Sequence, residues 1–185
     1  MELRNTERSW GAPARWLHWL TAALILVQIP LGVMAVNWRL SPTKLELFLW
    51  HKSLGLLLLL LVLARVGLRL AGPTPRLPPD MSGWERGAAR ASHFLLYALM
   101  LALPLSGWVI NSAANVPLRV FGLFPLPDIT PPNEALADAA ERVHAGLVIA
   151  LVLLLVAHVA AALRHHYGRR NDVLVRMLHG RRAGP

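Results

Sequence analysis

Four histidines, His18, His51, His144 and His158, stand in stretches of the chain that are otherwise almost free of ionisable side chains. Inside an apolar span an imidazole is costly and normally faces the bundle interior or a partner. Any one of them alone would read as a hydrogen-bonded core or interface histidine; four together suggest ligand chemistry. His144 and His158 lie fourteen residues apart in RVHAGLVIALVLLLVAHVAAALRHH, which on a helix is about 21 Å of axial rise. Fourteen steps of about 100° end only about 40° short of four turns, so in a left-handed bundle both side chains share one face.

The elements that must hold these rings are membrane-spanning helices. Between Arg15 and Arg39 lie 23 uncharged positions, between Arg90 and Arg119 lie 28, and between Arg142 and Arg164 lie 21. Each is enough to cross a hydrocarbon layer of about 30 Å as helix. A further span from Leu47 through Leu70 takes in His51, Lys52, Arg65 and Arg69. The expected helices are 15–37, 43–70, 83–111 and 134–167, in a single domain covering 1–185. Thr43 with Glu46, and Ser82 with Glu85, have capping-box spacing at the starts of the second and third helices. Asn133 offers an N-cap to the fourth. GPTPRLPPD reads as a stiff extended connection, and Pro104 with Gly107 should bend the third helix.

Fourteen of the nineteen Lys and Arg fall in the N-terminal arm, the second connection and the tail, counting Arg181 and Arg182. The positive-inside rule then places both termini in the cytoplasm. Trp16 and Trp19 mark the inner interface, and Trp38, Trp50 and Trp108 the outer one. The fold class is therefore an all-α integral membrane four-helix bundle, with NDVLVRMLHGRR as a short interfacial C-terminal helix. The net charge of +9 reflects topology and attraction to anionic lipid, with nucleic acid no partner. Without cysteine there are no disulfides, no Cys-ligated clusters and no covalent c-type haem. The first apolar run is long for a signal-peptide core and lacks a small-residue cleavage site, so no cleaved leader is expected.

Orientation sorts the four imidazoles by depth. His18 and His158 belong near the inner face, His51 and His144 near the outer one, giving two layers of two. A zinc ion would ask for three or four protein ligands, and neither layer has the Cys or acidic residue to complete a set. Haem asks only for axial ligands, and its apolar body suits a bundle core. Two histidines per layer imply two bis-histidine b-type haems whose chemistry is electron transfer, because both axial positions are taken. Arg65, fourteen residues after His51, reaches inner-haem depth as a propionate partner or as a simple inner-edge anchor. Lys52 and Arg142 flank the outer ligands, where they either neutralise propionates or draw in a small anionic reductant, or simply snorkel to the interface. His93 sits near the inner start of the third helix as an interfacial histidine or a donor to a propionate or quinone. His165, His166 and His179 read as solvated or lipid-facing.

The segments RWLHWL, WHKSLGLLLLLLVLARVGLRL, HFLLYALMLALPLSGW and RVHAGLVIALVLLLVAHVAAALRHHYGRRNDVLVRML resemble, in order and spacing, the bacterial cytochrome b561 family of small cytoplasmic-membrane cytochromes. The resemblance covers nearly all of residues 10 to 180. It implies that His18 and His158 ligate one haem b, that His51 and His144 ligate the other, and that electrons pass to or from quinone in the inner membrane. In one version the donor is a diffusible anion such as superoxide reaching the outer haem, which would make the chain a superoxide:quinone oxidoreductase; otherwise it is an electron carrier. Alternatively the chain anchors and serves a partner dehydrogenase. A histidine-based metal or proton transporter would need mid-membrane carboxylates, which the first, third and fourth helices lack.

Overall fold

The computed structural model describes residues 3–180; Arg181 and Arg182, counted above with the basic tail, lie outside the described residues. Four long apolar helices form an all-α fold suited to a membrane four-helix bundle: α1 (Ala12–Asn37), α2 (Pro42–Leu70), α3 (Gly83–Ala113) and α4 (Glu134–Leu163). A five-residue π-turn, Arg164–Gly168, extends α4, and a short α5 (Val173–Leu178) follows. Leucines and valines such as Leu26, Leu60, Leu153 and Val156 are well exposed. In water that would be an aggregation hazard, whereas in lipid it is the surface that acyl chains cover.

Local chemistry sets the helix starts. In α3, Ser82 and Glu85 form the expected box: Glu85 N–H donates to Ser82 Oγ at 3.4 Å, and Ser82 N–H donates to Glu85 Oε2 at 2.9 Å. Asn133 Oδ1 accepts from Leu136 N–H at 3.0 Å and caps α4. The start of α2 differs from expectation. Its cap is Ser41, whose Oγ accepts from Lys44 N–H at 3.4 Å, and Pro42 occupies the first helical position, where its missing N–H is not needed. Thr43 is thereby inside the helix.

By contacts the chain divides into two compact units. One is formed by the chain up to Leu20, Leu63–Tyr97 and the chain from Val152 onward; the other by Thr21–Val62 and Ala98–Leu151. The first unit is tied by polar contacts. Glu85 pairs with Arg164 at 3.0 Å and Arg169 at 3.2 Å, and Trp19 Nε1–H donates to the Met177 carbonyl at 3.1 Å. His165 is buried there, with Nδ1 at 3.0 Å from Asn171 Nδ2. It is therefore neither solvated nor lipid-facing, as its arginine-rich surroundings had suggested: the π-turn swings it inward.

In the second unit the connection before α4 holds a hairpin, β1 (Arg119–Val120) against β2 (Phe124–Pro125). Its turn places Phe121 at φ 48° and Gly122 at φ 73°, the two left-handed positions that a primed hairpin turn requires. Buried Ser53 of α2 fixes this turn by accepting from Phe121 N–H at 2.8 Å.

Candidate haem-ligand site

Each unit contains one pair of the predicted histidines, drawn from two helices. In the first, His18 of α1 and His158 of α4 have ring centroids 6.4 Å apart and planes inclined by 51°. In the second, His51 of α2 and His144 of α4 are also 6.4 Å apart, inclined by 76°. Two imidazoles that share an iron need centroids about 6 Å apart, from metal–nitrogen bonds of roughly 2 Å on each side plus the half-width of each ring. Among the described residues no three His, Asp or Glu side chains converge as a bare metal ion would require. Pairs at this spacing suit a group that brings its own equatorial ligands.

The second pair fits such a group atom by atom. Ser106 Oγ–H donates to the Leu103 carbonyl at 2.8 Å, so its lone pair is what meets His144 Nδ1 at 2.8 Å. His144 must then carry its proton on Nδ1, which leaves Nε2 with the lone pair a metal binds. Opposite, Gln28 of α1 donates from Nε2 to the His51 carbonyl at 2.9 Å. The edge of the His51 ring lies against Gly32. A Cβ at that position would come within 2.7 Å of His51 Cε1, so only glycine lets α1 pass the ring this closely.

In the first unit Arg65 approaches His18, with Nη2 3.1 Å from Nδ1. A guanidinium only donates, so Nδ1 accepts and the neutral ring holds its proton on Nε2. Ligation through Nε2 would move that proton to Nδ1 and oblige Arg65 to find another acceptor, for which a carboxylate is the natural choice. The Arg65 guanidinium also stacks over Tyr97, 5.5 Å from the ring centroid. His93 lies edge-on to His158 at 5.5 Å. The sequence offers His93 either as an interfacial residue or as a donor to a propionate or quinone; its contact with His158 follows from its place on the third helix. Lys52, half-buried next to His51, lies 5.6 Å from the centroid of Phe48, and Arg142 is exposed.

Residues 9–180 match the family model described as prokaryotic cytochrome b561. Over 184 residues the chain is 35% identical to cytochrome b561 homolog 2 of Escherichia coli K12, covering 96% of this chain and 95% of that protein. It is 29% identical to the probable superoxide oxidase CybB of Yersinia pestis, covering 90% and 94%, respectively. It is likewise 29% identical to cytochrome b561 homolog 1 of E. coli K12, covering 88% and 93%. With a family match across most of its length and four spanning helices, this multi-pass protein of the bacterial inner membrane belongs to the prokaryotic cytochrome b561 family.

Proposed function

We propose that the chain, working as one four-helix domain, carries two b-type haems and moves electrons from a small outer-face donor to membrane quinone. The observation that carries this is the repetition of one 6.4 Å histidine pair in both units. His18 and His158 hold one haem, and His51 and His144 hold the other. Haem held by these histidines would supply reversible one-electron exchange. The chain's own residues do the rest. Ser106 fixes the His144 tautomer, Gly32 gives His51 room, and Arg65 leaves His18 for a propionate. Lys52 and Arg142 give the outer end a positive field that concentrates an anion.

The name of the Yersinia pestis relative makes superoxide the donor to test. Two superoxide anions each give up one electron and depart as dioxygen; one quinone takes those two electrons with two protons and becomes quinol. In phosphatidylcholine vesicles containing the protein and a ubiquinone, superoxide generated outside should reduce the haem bands and yield about one quinol per two superoxides consumed. Haem that dithionite reduces but superoxide does not would remove this donor. Arg142→Gln should slow the superoxide step and flatten its ionic-strength dependence, because steering by an exposed charge is screened by salt; an unchanged salt profile would deny Arg142 that role.

Ser106→Ala removes the acceptor of the His144 N–H. Loss of such an outer partner typically costs about 10- to 100-fold in metal affinity. It also makes the imidazole a weaker donor to oxidised iron, so the midpoint potential of one haem should rise while the other stays put. A spectroelectrochemical titration with both potentials unchanged would exclude the assigned tautomer.

A further inference from the structure

On the unit that contains His18 and His158, a cavity of about 630 Å³ opens between α3 and the connection before it. Its lining includes Arg69, Arg76, Arg86 and Arg90 and no carboxylate. Arg76 is neutralised by Glu7 at 2.6 Å, and Arg69 stacks over Tyr97 at 5.8 Å. Arg86 and Arg90 pair with no acidic residue among those described, and neighbouring Glu85 is already committed to Arg164 and Arg169. Arg86, Arg90 and Phe94 follow one another at intervals of four along α3, so they form one line down the helix surface. The line begins with two cations and ends at an aromatic ring that is 72% exposed. Charge at the helix end and an open apolar surface deeper along it is the polarity of a membrane amphiphile.

We propose that this cavity binds the phosphate of an anionic glycerophospholipid, with Arg86 and Arg90 on the phosphodiester and the acyl chains running past Phe94. A basic pocket at the inner end of membrane helices next to an anionic leaflet has the charge and the position for such a headgroup. The guanidinium fork matches two phosphate oxygens at once. A zwitterionic headgroup offers the same phosphodiester but brings its own ammonium group into a cavity lined by arginines with no carboxylate, so an anionic lipid is preferred.

The test uses full-length haem-loaded protein in micelles with equal amounts of phosphatidylglycerol and phosphatidylcholine, read by native mass spectrometry. The wild type should retain one phosphatidylglycerol in preference to phosphatidylcholine. Arg86→Gln with Arg90→Gln should lower that occupancy about 10- to 30-fold, two surface charges having been removed. Arg39→Gln with Arg119→Gln, the same charge change elsewhere, should leave it intact. Haem absorbance reports folding, and Arg86→Lys with Arg90→Lys, which keeps the charge, should retain most of the lipid even if the Gln pair folds poorly. Equal retention of both lipids, or undiminished phosphatidylglycerol in the Gln pair, would overturn the proposal. Displacement of the lipid by millimolar inorganic phosphate would show a free-phosphate site instead, and one-for-one displacement by ubiquinone a quinone site; either sinks the lipid assignment. None of these outcomes depends on the electron donor or on quinone reduction.

Discussion

His158→Ala is expected to purify with about one haem per chain against about two expected for the wild type, because a haem held by two imidazoles would lose one of its two protein bonds. The haem that remains should be the one held by His51 and His144, with its band position and potential unchanged. His51→Ala should show the reciprocal loss. The two variants test the pairing, since each removes a histidine from a different pair, and each pair lies within its own compact unit. Pyridine haemochrome assay against protein concentration gives the ratio, and low-temperature spectra identify which component survives. If both variants lose the same component, His158 and His51 serve one haem and the pairs are wrongly drawn.

Gly32→Ala should empty the site of His51 and His144 almost as thoroughly as His51→Ala, although it touches no ligand. An alanine in a helix is favourable by about 1 kcal/mol over glycine, so on helix propensity alone the variant would be more stable. Against that stands the 2.7 Å approach of the new Cβ to His51 Cε1. A free ring would simply turn aside. A ring bonded to iron cannot do so without lengthening that bond, so haem affinity should fall by about 10- to 100-fold. Gly67→Ala, in α2 where no atom lies within 4 Å of a new Cβ, is the matched control and should retain both haems. Full haem in Gly32→Ala would mean that the His51 ring is not held where ligation needs it.

The helices were legible because lipid demands it: a span needs an unbroken run of apolar residues, and charges mark where each run ends. Expected bounds of 83–111 and 134–167 compare with Gly83–Ala113 and with α4 plus its π-turn, Glu134–Gly168. α1 begins earlier than expected, at Ala12, since Pro13 sits in the first turn, where proline is tolerated. The distance of each histidine to its flanking arginines groups His18 with His158 and His51 with His144, the same partners whose rings lie 6.4 Å apart. Lateral facts were not legible. The contact of His93 with His158 depends on how α3 and α4 turn about their axes, and the burial of His165 on a π-turn that adds a residue to the helical step. The hairpin at Arg119–Pro125 escaped because its strands are two residues long and its turn puts bulky Phe121 in a left-handed conformation. The Ser53 hydroxyl that fixes this turn lies 68 residues away in sequence.

Haem stoichiometry measured together with electron paramagnetic resonance of the oxidised wild-type protein tests the central claim most directly. Two low-spin ferric signals of bis-imidazole type, at about two haems per chain, are the expected result. A single signal at one haem per chain, a high-spin iron, or chain purified without haem after expression with ample haem supply would contradict it.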